Sequence, residues 1–223
     1  MKNELFLFDE FYKKHFGQII GVDEAGRGCI AGPVVAAAVV LEKEVEVFDS
    51  KQLTPSERER IFEEIKKVAK IGIGLATAEE IDIYNILNAT KIAMNRALKA
   101  LNQPNLFVLV DGKGLNLVQQ GVCIVKGDAK SAAVAAASIV AKVVRDRIMK
   151  GFDKVYPQYL FAQHKGYPTQ DHLKALAEYG ATVFHRLTFS PVLPYVNEKI
   201  LSKISKERAL SVVKIMQKKL KIK

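Results

Sequence analysis

The sequence predicts an α/β protein: a mixed five-stranded sheet flanked by helices, with a C-terminal helical extension. Three observations lead there. Five apolar runs have the length of strands, and amphipathic segments with helix-capping residues lie between them. Three of the runs also deliver an acid into a glycine-containing turn, a pattern that places ligand-binding groups at one edge of an α/β sheet.

Residues 2–16 alternate aromatic and charged residues and read as a short amphipathic helix packed on the main domain. The first strand spans about 18–24 and runs into the turn Gly26-Arg27-Gly28 and on to Gly32. The valine-rich segment 32–41 reads as a central strand, antiparallel to the first across a tight hairpin. Thr54, Pro55 and Glu57 form the N-cap, first residue and capping-box partner of a helix that continues to residue 70 with Ile61, Ile65 and Val68 on one face. A third strand, 71–77, contains two glycines, and a second long helix covers 78–101. Strands at 106–114 and 121–128 bring Asp111 and Asp128 to their ends. A helix rich in small residues, 131–155, suits close packing on a sheet and stops at Tyr156-Pro157. Thr169 caps a further helix over 170–179, closed by Gly180. Residues 195–223 read as helical, with nine Lys or Arg against two Glu. The expected organisation is therefore an N-terminal helix packed on the core (1–18), a main α/β domain (19–194) and a basic helical segment (195–223).

A chain of 223 residues is long enough for one sizeable core. Its net charge of +10 favours a polyanionic partner, because a basic surface gains affinity for nucleic acid by releasing counterions. Two cysteines in separate segments support neither a zinc site nor a disulfide framework, and a reducing cytoplasm is the expected location. No apolar run approaches the roughly 20 residues of a membrane span.

Asp23, Asp111 and Asp128 are expected to converge at one sheet edge. Glu24 either joins them or faces away, since neighbouring side chains on a strand point to opposite faces unless the strand ends between them. Each Asp-Gly step alone is an ordinary turn former. Three strands that end in acids are a different matter. Carboxylates crowded together repel unless cations neutralise them, and an all-oxygen ligand set without a histidine cluster favours Mg²⁺ or Mn²⁺. The four histidines lack metal-binding spacing and are expected to be structural or surface groups. No dinucleotide fingerprint, phosphate loop or Gly-x-Ser-x-Gly elbow is present, which leaves metal-assisted phosphoryl chemistry.

Read together, GVDEAGRGCIAGPVVAAAVVL (21–41), DSKQLTP (49–55), VDGKG (110–114), KGDAKS (126–131), AAASIVAKVVRDR (135–147) and HKGYPT (164–169) resemble the bacterial ribonuclease HII family, the type 2 ribonucleases H. The resemblance implies a ribonuclease H-like fold and an Asp-Glu-Asp-Asp site made of Asp23, Glu24, Asp111 and Asp128. It also implies two divalent cations during catalysis and cleavage of the RNA strand of RNA/DNA hybrids. Most characteristic is a cut on the 5′ side of a single ribonucleotide in duplex DNA, which begins ribonucleotide excision repair. By resemblance, backbone groups of Gly26, Arg27 and Gly28 contact the 2′-hydroxyl, and Tyr167 packs on the adjacent deoxyribose. Lys51 is a candidate phosphate contact, with Arg27, Lys165 and Arg186 as further ones, and the basic tail is expected to lie against the duplex. A monomer without an obligate protein partner is expected. The competing readings are a basic nucleic-acid-binding module with structural acids and a DNA-cutting enzyme of the same fold.

Overall fold

The computed structural model describes residues 4–47, 50, 53–115 and 117–220. Helix α1 (Glu4–Phe16) precedes the hairpin β1 (Ile19–Ala25) and β2 (Val34–Leu41). Helix α2 (Pro55–Val68), strand β3 (Ala69–Ala76) and helix α3 (Ala78–Leu101) follow, then β4 (Phe107–Asp111) and β5 (Gly121–Ile124). The remaining α-helices are α4 (Ala132–Val155), the single turn α5 (Phe161–His164), α6 (Gln170–Tyr179), the single turn α7 (Glu198–Leu201) and α8 (Lys206–Leu220). The five strands lie in the order β3-β2-β1-β4-β5. β1 pairs antiparallel with β2 and parallel with β4, and β4 is parallel to β5, so the sheet is mixed as the sequence predicts.

The chain divides into two compact units. The first holds all of β1, β4 and β5, nearly all of β2 and β3, together with α1, α2, the C-terminal part of α3 and most of α4; the second comprises Gly26–Val34, Ala76–Ala89 and the chain from Asp146. In the first unit, the alanines of α4 and residues of β2 and α2 form one apolar cluster that includes Phe6, Val39, Ile61, Phe62 and Val140. Helix α4 approaches the sheet so closely that a Cβ on Gly21 would lie 2.1 Å from the Ala133 carbonyl carbon. The two glycines of β3 serve the same purpose. A Cβ on Gly72 or Gly74 would stand 2.2 Å from a carbonyl oxygen of α3, so these residues admit the helix rather than merely weaken the strand.

Capping follows the local sequence. Thr54 and Glu57 form a complete capping box at α2, and Thr169 accepts a hydrogen bond from the His172 amide at the start of α6. Three elements depart from expectation. The 78–101 helix is broken at Asn85, whose φ of 67° ends one segment while its Oδ1 accepts from the amides of Leu87 and Asn88 to cap the next. β5 stops at Ile124, and a 3₁₀ turn, Gly127–Ala129, entered through a left-handed Lys126, presents Asp128. The tail, read as helical over 195–223, is interrupted: residues 202–205 separate α7 from α8, and Ile200, Ile204, Val212 and Met216 pack into the second unit's apolar cluster.

Candidate functional site

The parallel register of β1 and β4 pairs Val22 with Val110, which brings the next residues, Asp23 and Asp111, side by side at the strand ends. Asp128 reaches the same edge from its 3₁₀ turn. Carboxylate oxygens of Asp23, Asp111 and Asp128 all lie within 4.8 Å of one another, close enough to share a metal ion. The cluster is built to hold its geometry. Asp111 Oδ1 accepts from the Gly127 amide at 2.6 Å, tying the turn that carries Asp128 to the end of β4.

Burial, then the charges of Glu24 and Asp111, push the Asp23 carboxyl well above the usual carboxylate range, against hydrogen bonds from the Glu24 amide and Ser138. Such a site is electrostatically unsatisfied on its own, and a divalent cation is the partner that an all-carboxylate donor set fits. Glu24 is not one of the three acids that converge within 4.8 Å; its amide donates to Asp23 Oδ1 at 2.7 Å, and its charge acts on Asp23.

Ser138 escapes the reading of the sequence, where it is one polar residue in an alanine-rich helix. Besides its bond to Asp23, its hydroxyl lies 2.7 Å from that of Ser50, whose carbonyl accepts from Arg58. All three residues are buried. Lys51 lies outside the described residues.

The second unit contains the remaining candidates. Arg27 and Gly28 are exposed, and Gly28 sits beside the Tyr167 ring, with its added Cβ position 3.9 Å from Cε1. Tyr167 is itself 41% exposed. The 26–32 turn is joined to the HKGYPT segment by the Ile30 amide, which donates to the Gly166 carbonyl at 2.9 Å. Gly166 has φ +83°, and a Cβ there would stand 2.6 Å from the Ala31 oxygen. Lys165 does not extend freely into solvent: its ammonium donates to the Ala162 carbonyl at the end of α5.

Arg186 differs most from expectation. It is fully buried, and its guanidinium donates to the carbonyls of Gly26 (2.6 Å), Arg27 (2.8 Å), Cys29 (2.7 Å) and Gly32 (3.1 Å). A group so enclosed is a clamp on the turn rather than a phosphate contact. Its neighbour His185 joins a chain of neutral imidazoles. Thr182 N–H donates to His185 Nδ1, so the proton at the 3.1 Å contact between the two Nε2 atoms belongs to His185, and His172 Nδ1–H donates to the Tyr167 carbonyl at 2.9 Å. Desolvation holds His172 down at about 4 and His185 at about 3. The histidines are thus structural, as their spacing suggests, but they support the segment that carries Tyr167.

Among the described residues, no helix is long and apolar enough to cross a membrane. A family model for ribonuclease HII matches residues 20–192. The ribonuclease HII of Pseudothermotoga lettingae is 66% identical over 199 residues, covering 89% of each chain. Among solved structures, ribonuclease H2 from Pyrococcus horikoshii OT3 superposes with a TM-score of 0.69 at 28% identity, covering 80% of this chain and 96% of that one. The ribonuclease HII of Archaeoglobus fulgidus, solved in a complex with PCNA, gives 0.68 at 25% identity over 84% of this chain and all of the other.

Proposed function

Because the chain belongs to the ribonuclease HII family, and is therefore a ribonuclease H acting on RNA/DNA hybrids, we propose that it cuts duplex DNA on the 5′ side of an embedded ribonucleotide, leaving 3′-hydroxyl and 5′-phosphate ends. Its role is then the first incision of ribonucleotide excision repair. The observation that supports this most directly is the convergence of Asp23, Asp111 and Asp128 in a chain of this family.

Asp23, Asp111 and Asp128, with Glu24 beside them, would hold two divalent cations, Mg²⁺ or Mn²⁺. Such ions, when bound, supply an activated water and stabilise the departing 3′-oxygen. The chain's own contribution is position. Gly127 N–H fixes Asp111, Ser138 fixes Asp23, and no side-chain nucleophile is required. Backbone amides of the exposed residues Arg27 and Gly28 would donate to the 2′-hydroxyl, the group that distinguishes RNA from DNA, and the half-exposed Tyr167 ring would pack on the neighbouring sugar. Lys51 remains a proposed phosphate contact. Exposed Lys206, Lys214 and Lys218 on α8 add sequence-independent affinity, so replacing them with Gln should flatten the salt dependence of duplex binding. All four acids come from one chain, which supports action as a monomer. Cys29 and Cys123 are not joined in a disulfide, which suits a reducing cytoplasm.

The test is incubation with Mg²⁺ and a labelled duplex holding one ribonucleotide, beside an all-DNA duplex and a metal-free control. Cutting only 5′ to the ribonucleotide and only with metal is expected. Cleavage of the all-DNA duplex would make the chain a DNA nuclease, and binding without cleavage in Mg²⁺ or Mn²⁺ would make it a binding module.

A further inference from the structure

We propose that Arg186 is a positioning residue for ribonucleotide recognition, and that the tail residue Arg208 positions Arg186. This rests on the reading of residues 26–28 as the 2′-hydroxyl site. No described peptide is cis, so each N–H points opposite to the carbonyl of the same peptide. By drawing the Gly26 and Arg27 carbonyls onto a buried guanidinium, Arg186 turns the amides of Arg27 and Gly28 the other way, where both residues are exposed. Both N–H groups then point away from the buried guanidinium, toward the side from which an acceptor oxygen would approach. A planar fork with several donors is needed for this, because one ammonium cannot reach carbonyls on both sides of a turn.

Arg186 is itself anchored at both ends of its own segment. Its amide donates to the Ile30 carbonyl at 2.8 Å. On the other side, Asp82 accepts from the Leu187 and Thr188 amides at 3.0 and 2.9 Å. Asp82 is held in turn by Arg208 of α8, whose Nη2 lies 2.8 Å from its Oδ2, both side chains being almost fully buried. The same guanidinium donates to the carbonyls of Val183 (2.8 Å) and His185 (2.7 Å). Arg208 is therefore one positive charge of the tail that cannot face nucleic acid. It braces residues 183–188, and they present Arg186 to the turn.

The experiment compares wild type with Arg186→Lys and Arg208→Lys. Recognition is read as the ratio of the inhibition constant of an all-DNA duplex to the KM of a one-ribonucleotide duplex. Melting temperature and Mn²⁺ affinity are measured alongside. A folded Arg186→Lys protein that binds Mn²⁺ normally should lose about ten-fold or more in that ratio, and Arg208→Lys should lose less. A wild-type ratio in folded Arg186→Lys overturns the proposal while leaving residues 26–28 as the recognition site. If Arg186→Lys does not fold, the ratio for Arg208→Lys decides in the same way. Absence of any preference in the wild type would overturn the reading of residues 26–28 first, and the proposal with it.

Discussion

The acidic cluster and the 26–32 turn place buried charge in opposite senses. At the cluster, three carboxylates converge and Asp23 is pushed upward, so the protein builds a repulsion that a cation relieves. At the turn, one buried cation, Arg186, collects four carbonyl oxygens and leaves little electrostatic demand of its own. A site meant to gain a ligand through charge is left unsatisfied; a site meant to present backbone donors is satisfied from behind. Variants should therefore respond differently. Those at the cluster should lose chemistry and keep stability, while those at the turn should lose stability and selectivity together.

The strongest test of that contrast is Asp111→Asn. Asparagine can still accept from Gly127 N–H but cannot bind a cation as a carboxylate does. Activity should fall by on the order of 10³-fold, while the metal-free melting temperature should not fall, since one of the charges raising Asp23 is gone. The rise in melting temperature on adding Mn²⁺ should shrink. A metal-free protein markedly less stable than wild type would mean that the carboxylate is structural.

Gly166→Ala probes the other region. It forces a side chain into a φ of +83° and against the Ala31 oxygen, and should cost about 3 kcal/mol. Denaturant unfolding would measure that loss, and calorimetry should find Mn²⁺ binding intact at temperatures where the variant is folded. Equal loss of both would mean that the contrast between the two regions is false.

The same contrast explains what can be read from the sequence. Strands, caps and acids are local signals: an apolar run, a Thr-x-x-Glu, an Asp beside glycine. The partners of Arg186 are not local, lying 154 to 160 residues away, and nothing near it in sequence distinguishes a buried guanidinium from a surface one. Arg208 is hidden more deeply, because it sits in a run of lysines that reads as a solvated face, and Asp82, its partner, lies in a helix 126 residues earlier. The Asn85 break is local but weak. Asparagine is an ordinary helix resident until its side chain is seen capping the next turn.

Acid should separate the regions as well. His172 and His185 titrate near 6.5 in the unfolded chain but at about 4 and about 3 in the fold, so below pH 6.5 the unfolded state binds more protons and stability declines as pH falls. At pH 5.5 the loss is about 1.4 kcal/mol for each histidine. Asp23 has the opposite sign. Its raised pKa makes the folded state the better proton binder above the usual carboxylate range, so without metal its charging opposes folding as pH rises. Urea unfolding between pH 7.5 and 5.5 should show the decline in wild type and a smaller one in His172→Gln. An unchanged slope in that variant would mean that His172 is already protonated in the fold.

The smallest effect gives the cleanest comparison, because the same chemistry occurs in both units. Thr54 caps α2 in the first and Thr169 caps α6 in the second, each through a 3.3 Å bond from an amide three residues on. Replacing either with Ala should cost about 1 kcal/mol. Their consequences should differ. The amide that Thr169 caps belongs to His172, whose imidazole holds the Tyr167 carbonyl, and the Thr169 amide donates to that same carbonyl at 2.9 Å. Loosening this cap should weaken the preference for a one-ribonucleotide duplex by roughly two- to three-fold, since a fraction of a kcal/mol reaches the aromatic segment. Thr54→Ala, matched in stability loss, should leave that preference as it was. Equal shifts from both caps would mean that selectivity follows overall stability, and that the buried polar contacts behind Tyr167 hold the fold without tuning recognition.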